Sequence, residues 1–311
     1  MPSATEIVLP VREYDLAATL DSGQVFRWRA DGDTWHGVVG QHLVRLTQSP
    51  AGIRAETAAP VEDWDWLRQF LQSEIDLAAV LQVFPDDEPM RKAIMACRGL
   101  RLLRQDPWEC LASFILSSTK QIVQIRQIVA SLCERFGEPL PPLRSAGLRP
   151  GVFSSGGARA PGRGPAIQGY SFPTPQTIAA VSEADLRDCK MGFRAPSLLA
   201  AARQIADGSF GLGKIRQLDY ATARAELMKL RGVGGKIADC VLLFAYGFDG
   251  AFPVDVWIER ALQELYFPRR RASEPRLRKF ADTHFGPHAG YAQQYLFHYI
   301  RTRNRARGKV E

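Results

Sequence analysis

From Ile7 to about Thr57 the chain runs in short segments rich in Val, Leu, Phe and Trp, broken at Asp21-Ser22-Gly23, Asp31-Gly32-Asp33 and Ser49-Pro50-Ala51-Gly52. Short apolar runs separated by Gly, Asp, Ser and Pro clusters predict an antiparallel meander. Past about Val61 the period changes. Trp64, Leu67, Phe70 and Leu71 fall on one helical stripe, and no strand pattern returns. The pattern predicts an α+β fold: an N-terminal antiparallel sheet domain with flanking helices over residues 1–95, packed on a larger all-helical domain over 96–311.

Two helices in that second domain are well marked. Asp106-Pro107-Trp108-Glu109 supplies a capping acceptor, a proline at the first helical position and an acid in the first turn, and Phe114 falls inside the helix that follows. Ile122, Ile125, Ile128, Val129, Leu132 and Phe136 then repeat at spacings of three and four before Gly137, a second amphipathic helix and its stop. Residues 141–168 differ, with Pro141-Pro142, Ser154-Ser155-Gly156-Gly157 and Ala160-Pro161-Gly162-Arg163-Gly164-Pro165. So few apolar groups cannot offset the cost of ordering, and a flexible insertion is expected there.

Composition narrows the class. A chain of 311 residues with 46% hydrophobic content has ample material for two cores. Lys and Arg number 40 against 33 Asp and Glu, a net charge of +7 that favours a polyanionic partner without proving one. Met1–Leu20 carries no basic segment followed by an apolar run, and no stretch of the chain is apolar enough to span a bilayer, so an intracellular protein without a membrane role is expected. The five cysteines, Cys97, Cys110, Cys133, Cys189 and Cys240, are scattered and never spaced CxxC, so neither disulfides nor a zinc site are expected.

The stretch richest in chemical implication is Leu230-Arg231-Gly232-Val233-Gly234-Gly235-Lys236-Ile237-Ala238, between helical patterns over Ala221–Lys229 and Lys236–Tyr246. It reads as helix, glycine hairpin, helix. Glycines permit close backbone approach, and the amides opening the second helix favour an anion, with a DNA phosphate the obvious ligand. A glycine turn between helices is common, however, and by itself leaves DNA binding open.

Together with Asp255 in Phe252-Pro253-Val254-Asp255-Val256, the hairpin resembles the signature of the helix-hairpin-helix glycosylases with a Gly-Pro-Asp type loop. Ser22-Gly23-Gln24-Val25-Phe26-Arg27-Trp28, Leu102-Leu103-Arg104-Gln105-Asp106-Pro107, Met191-Gly192-Phe193-Arg194-Ala195 and Gly290-Tyr291-Ala292-Gln293-Gln294-Tyr295-Leu296-Phe297 extend the resemblance to nearly the whole chain outside 141–168. They bring it nearest to the eukaryotic-type 8-oxoguanine glycosylases. The resemblance implies a monomeric enzyme without cofactor that excises 8-oxoguanine from double-stranded DNA, from opposite cytosine, and then cleaves the strand. An iron–sulfur cluster of the kind some repair glycosylases carry is not expected, since of the cysteines only Cys240 follows the hairpin.

Residue by residue, the resemblance makes Lys236 the nucleophile, whose neutral amine attacks the sugar and forms an imine, and Asp255 the electrostatic stabiliser of the cationic transition state and cap of the following helix. It makes the Gly23 carbonyl the acceptor for the N7–H that 8-oxoguanine has and guanine lacks. Gln293 reads the Watson–Crick edge, Phe297 and Cys240 take the two faces of the base, and Phe114 joins the pocket. Phe193 is the aromatic wedge and Arg194 addresses the orphaned cytosine, while Gly232, Val233, Gly234 and Gly235 meet the backbone.

One segment departs from the family. Typical members follow Ser-Ser with Asn-Asn and then an arginine, whereas here Ser117-Ser118 precedes Thr119-Lys120-Gln121 and Gln124 stands where the arginine would be. Thr119, Lys120 and Gln124 are candidate contacts to the opposite strand, and a weakened cytosine preference is expected, because Gln124 lacks the charge that strengthens hydrogen bonds. Two alternatives stay open: a glycosylase for another damaged purine, and a non-catalytic DNA-binding protein that keeps the hairpin.

Overall fold

A computed structural model describes residues 4–117, 121–143, 167–269 and 271–306. The chain opens with β1 (Ala4–Leu9) and α1 (Leu16–Asp21), continues through β2 (Arg29–Asp31), β3 (Thr34–Val39), β4 (His42–Ser49) and β5 (Gly52–Val61), and closes its first unit with α2 (Asp65–Leu71). The five strands form one antiparallel sheet in the order β1-β5-β4-β3-β2. The expected meander therefore holds for β2 to β5, but the first strand joins the last, and the Asp21-Ser22-Gly23 break ends a helix rather than a strand. Asp15 starts that helix by accepting the Ala18 N–H at 2.8 Å, and Leu16, Thr19 and Leu20 turn one face inward. Trp28 lies across Gly37 of β3, where any Cβ would overlap the indole, so the strand carries glycine to let the largest side chain of this core lie flat on the sheet.

Beyond the sheet come α3 (Leu77–Gln82), α4 (Glu88–Ala96), α5 (Pro107–Ser117) and α6 (Ile122–Phe136). The Asp106 carboxylate accepts the Glu109 N–H at 2.9 Å and Pro107 opens α5, as expected. On α6 the buried residues Ile125, Ile128, Val129 and Leu132 form the stripe, and Gly137 follows as its cap. Leu77, Val80, Met90 and Ala93 pack into the helical core, whereas Leu67, Phe70 and Leu71 of α2 pack into the sheet core. We therefore place the change of core between α2 and α3, ahead of residue 95. The ends of the expected insertion are fixed: Leu143 pairs with Ile167 and Pro139 with Tyr170, and Leu140 and Leu143 cover Val38 and Leu43 of the sheet. The remainder of that insertion lies outside the described residues.

The chain then builds α7 (Pro175–Ala180), α8 (Glu183–Asp188), a 3₁₀ turn (Gly192–Arg194), α9 (Ala195–Ala206), α10 (Leu212–Ile215), α11 (Tyr220–Leu227) and α12 (Gly235–Val241). After α12 a π-helical turn (Leu242–Tyr246) leads to α13 (Val256–Tyr266), α14 (Glu274–His284) and α15 (Ala289–Ala306). The hairpin between α11 and α12 turns at Gly232, with φ +82° and a Cβ position only 2.6 Å from Ser197 Oγ, so both backbone conformation and space demand glycine. Asp239, 1% exposed, ties the two hairpin helices together. It accepts Arg224 Nε at 2.7 Å and the Tyr220 hydroxyl at 2.9 Å, and Arg278 of α14 lies 3.8 Å away. Gly235 abuts the Arg224 guanidinium, so a buried ion pair sets the position of the helix that begins with Lys236.

α15 runs along the junction of the two cores and carries a buried histidine. Burial drives His298 down to about 4, helped by Arg301 and opposed by Asp21 and Asp15, with Arg305 lowering it further. His298 is thus neutral in the fold, while in the unfolded chain it takes up a proton near its ordinary value of 6.5. Its contribution to stability is complete above pH 6.5 and is lost as pH falls toward 4, by up to roughly 3 kcal/mol. Urea unfolding across this window should show a shallower pH dependence in His298→Leu than in wild type; parallel curves would contradict the assignment.

Candidate active site

Where the sheet unit meets the helices, a cavity of about 700 Å³ opens, lined by Gly23 from the first unit and by side chains of α5, α6, α12, α13 and α15. Its size falls in the range of small-molecule sites. Lys236, at the start of α12, donates from Nζ to Ser117 Oγ at 3.2 Å and lies 5.3 Å above the Phe114 ring. That ring is itself stacked on Phe244 at 5.6 Å and meets Phe26 edge-on at 5.6 Å. The π-helical turn sets Phe244 in this stack, which makes the wall behind the lysine apolar and rigid.

Asp255 caps α13, its Oδ1 accepting the Trp257 and Ile258 amides at 3.0 and 2.9 Å. Burial pushes its carboxyl above the usual aspartate range, against the pull of the Ile258 and Trp257 amides and of Lys236. Cys240 lies four residues after Lys236 and lines the same cavity. Burial raises its thiol to about 12, with Lys236 opposing, so it presents a neutral, polarisable sulfur.

Across the cavity stands the loop that follows α1. Gly23 has φ +84°, and a Cβ there would come within 2.8 Å of Ile122 Cδ1 and 3.3 Å of Phe297 Cε1. Glycine is required for the turn and for the contact with two helices at once. The loop is fastened by Gln24, whose Nε2 donates to Ser22 Oγ at 2.9 Å and to the Arg101 carbonyl at 2.8 Å, while its Oε1 accepts the Leu103 N–H at 2.8 Å. Gln105 Nε2 reaches the Gln24 carbonyl at 2.7 Å, and Gln294 Nε2 reaches the Ser22 carbonyl at 3.0 Å. Its neighbour Gln293 instead faces the cavity, with a buried Oε1 that has no partner among the described residues. An unsatisfied buried amide oxygen costs about 1–3 kcal/mol and suits a ligand N–H.

The structure thus brings together Gly23, Phe114, Lys236, Cys240, Asp255, Gln293 and Phe297. Of the other expected contacts, Gly232 and Gly234 of the hairpin also line this cavity, whereas Phe193, Arg194 and Gln124 do not. Phe193 is 68% exposed in its 3₁₀ turn, with the Arg194 guanidinium 4.4 Å from its ring. Arg194 itself is only 3% exposed, so the arginine expected to address an orphaned base is covered in this structure. Gln124 is exposed at the start of α6, and its Oε1 accepts the Gln121 N–H at 3.3 Å, the geometry of a helix cap. Thr119 and Lys120 lie outside the described residues. In the hairpin Gly234 is exposed, but Val233 is buried and can offer only its backbone. Residues that the sequence did not single out are Ser117, Ile122, Trp257 and Arg301, all on the cavity. Ser117, paired with Lys236 across 119 positions of sequence, has no local signal. Among the described residues no group of three or more His, Cys, Asp or Glu side chains could hold a metal, and no helix is long and apolar enough to cross a membrane.

Residues 6–111 match the family model "8-oxoguanine DNA glycosylase, N-terminal domain", and residues 112–284 match "HhH-GPD superfamily base excision DNA repair protein". The chain is 30% identical to a "Probable N-glycosylase/DNA lyase" of Methanothermobacter thermautotrophicus, over 94% of this chain and 95% of that protein. It is 29% identical to the "N-glycosylase/DNA lyase OGG1" of Arabidopsis thaliana, over 94% of this chain and 77% of that one. Among solved structures it is similar to the 8-oxoguanine glycosylase/lyase of Clostridium acetobutylicum in complex with double-stranded DNA containing cytosine opposite 8-oxoguanine, with a TM-score of 0.81, 29% identity and coverage of 94% and 93% of the two chains. A sheet unit and a helix-hairpin-helix unit joined around a lysine and an aspartate, together with these matches, establish that the chain belongs to the HhH-GPD superfamily of base excision DNA repair proteins, in its 8-oxoguanine glycosylase/DNA lyase branch.

Proposed function

We propose that this protein excises 8-oxoguanine from double-stranded DNA and then cuts the strand, using Lys236 as nucleophile. The observation that carries this reading is the convergence of Lys236, Asp255, Gly23, Cys240, Gln293 and Phe297 on one cavity from four separate parts of the chain. The target nucleotide swings out of the duplex into that cavity, with its base between Cys240 and Phe297 and its Watson–Crick edge at the Gln293 amide. The neutral Lys236 amine attacks C1′, the bond from C1′ to the base breaks, and the base leaves with a proton. Opening of the sugar ring gives an imine between Lys236 and C1′. Removal of a C2′ proton then expels the 3′ phosphate. Ionised Asp255 stabilises the positive charge that develops on the sugar. The hairpin backbone at Gly232, Gly234 and Gly235 contacts DNA phosphate, Phe193 fills the gap in the base stack, and Arg194 meets the orphaned base once the wedge has moved. One chain supplies every group of the cavity, which supports action as a monomer.

Borohydride trapping on duplexes bearing 8-oxoguanine, hypoxanthine or 3-methyladenine tests covalency and lesion class together. A trapped adduct is expected on the first and not on the others, and Lys236→Gln should form none and release no base while still binding the 8-oxoguanine duplex. An adduct of wild-type yield from that variant would end the assignment.

Asp255→Asn keeps the cap, because asparagine serves helix starts as well as aspartate does, but removes the charge. Its single-turnover excision rate should fall by about a hundredfold or more with a modest change in affinity. Because burial raises the Asp255 carboxyl, the wild-type rate should fall off on the acid side at a higher pH than an exposed aspartate would give. That limb should vanish in Asp255→Asn, and a limb kept unchanged by the variant argues for a role confined to capping.

Gln124 is uncharged and engaged in capping α6, so Arg194 is the arginine left to read the opposite strand. Cytosine preference should persist but be weaker than in relatives with a second arginine, and 8-oxoguanine opposite other bases should be excised appreciably. Single-turnover rates on the four duplexes decide this. Strict cytosine restriction that survives Arg194→Ala would show that another residue reads the orphan.

A further inference from the structure

The loop that presents Gly23 begins at Asp21, the last residue of α1, and Asp21 is held by three arginines from two other helices. Arg126 of α6 donates to Asp21 Oδ1 at 2.8 Å, Arg305 of α15 donates to Oδ2 at 3.2 Å, and Arg301 of α15 donates to the Asp21 backbone carbonyl at 3.2 Å. The pattern is periodic. Arg126 stands one helical turn after Ile122, and Arg301 one turn after Phe297, the two side chains that a Cβ on Gly23 would strike. Arg305 is one turn further. The helix faces that touch Gly23 therefore also grip the residue two positions before it. Arg301 completes the arrangement, since its guanidinium lies 3.5 Å from the Gly23 Cβ position and 5.5 Å from the Phe297 ring, 2% exposed on the wall of the cavity.

Between Asp21 and Gly23 the backbone has only a few soft dihedrals, because each peptide unit is planar. Fixing Asp21 at its carboxylate and its carbonyl fixes the height of Gly23 relative to α6 and α15. Burial works against the Asp21 charge, yet Arg126, with Arg301 and Arg305 behind it, holds its carboxyl below the usual value, so the knot is ionised under working conditions. Nothing in catalysis at the sugar needs it. Arg301 brings the cluster to the cavity wall beside Gly23 and Phe297, whereas Lys236 and Asp255 stand at the starts of α12 and α13.

We propose that Asp21, gripped by Arg126, Arg301 and Arg305, is a positioning residue for lesion discrimination, setting the Gly23 carbonyl where it can accept the extra N–H of 8-oxoguanine and repel the bare N7 of guanine. This rests on the base-pocket reading above. The difference between the two bases is one proton, so the selectivity amounts to one hydrogen bond in place of one repulsive contact. Loss of such a contact alters affinity roughly tenfold, and a carbonyl displaced by a fraction of an ångström forfeits it.

The test is made in the Lys236→Gln background, where binding is read without turnover. Dissociation constants are measured for duplexes that differ only in carrying 8-oxoguanine or guanine opposite cytosine, with and without Asp21→Asn, and melting temperature is recorded for each. The parent should prefer the 8-oxoguanine duplex, and Asp21→Asn should shrink that preference by about five- to tenfold, mainly by weakening the 8-oxoguanine complex. With Lys236 restored, excision of 8-oxoguanine should fall more than cleavage of a preformed abasic site, which has no base to read. A purely structural role would lower melting temperature and both activities together and leave the preference intact, and that result overturns the proposal. If Asp21→Asn does not fold, Arg305→Gln, altered at the more exposed end of the knot, should give a smaller loss of preference in the same direction; no loss overturns it equally. A parent that binds both duplexes alike sinks the base-pocket reading and this inference with it.

Discussion

The carboxamide of Gln24 is the contact on which the site's geometry depends. A pocket built at the seam of two cores is only as accurate as the register between them, and hydrophobic packing, being non-directional, sets that register loosely. Gln24 sets it sharply. Its donors and acceptor reach Ser22 in its own loop and Arg101 and Leu103 in the segment leading to α5, and Gln105 returns to its backbone carbonyl. Each bond contributes about 0.5–1.5 kcal/mol net, but a slip of the seam would leave several buried polar groups unsatisfied at once, which costs far more. The seam therefore has one position, and Gly23 inherits it.

On the other side of the cavity the ordering force is electrostatic. Asp239 is buried with Arg224 and Tyr220, and a shift of α11 away from α12 would strand its charge. The first turn of α12 is thereby fixed against α11, and Lys236 projects from that turn toward Ser117 and the Phe114 ring. The Gly23 loop and the first turn of α12 are thus anchored by different networks, one centred on Gln24 with the ion pairs of Asp21 beside it, the other centred on Asp239. They meet across the cavity.

Much of this was legible in the sequence because it depends on local pattern. The change from short strand runs to helical spacing near Val61, the Asp106-Pro107 helix start, the stripe on α6 and the glycine hairpin all follow from neighbouring residues. The site residues Lys236, Asp255, Gly23, Gln293 and Phe297 were legible for a different reason, through motifs that resemble a known family. What the sequence hid is long-range. The pairing of β1 with β5 and the helix at Leu16–Asp21 were missed because a short apolar run fits strand or helix equally well, and the Asp15 cap decides between them. Ser117 and Arg301 act on the site through contacts with residues far away in the chain, and no spacing rule announces such pairs. The burial of Arg194 beneath Phe193 is likewise a tertiary fact, invisible in the two letters Phe-Arg.

The cavity also collects features that a stable fold would avoid. Asp255 keeps a carboxylate where burial opposes its charge, and Gln293 leaves an amide oxygen without a partner among the described residues. Local departures of this kind cost about 1–3 kcal/mol each and persist only where surrounding structure over-determines them. Here the surroundings are two well-packed cores and two buried polar networks, with enough cohesion to hold these groups in place without a ligand. In the proposed reading a flipped nucleotide answers both at once: its base offers N–H groups to Gln293, and its developing positive charge matches Asp255. That unfavourable features with a common remedy share one region is a stronger argument for the site than any single residue in it.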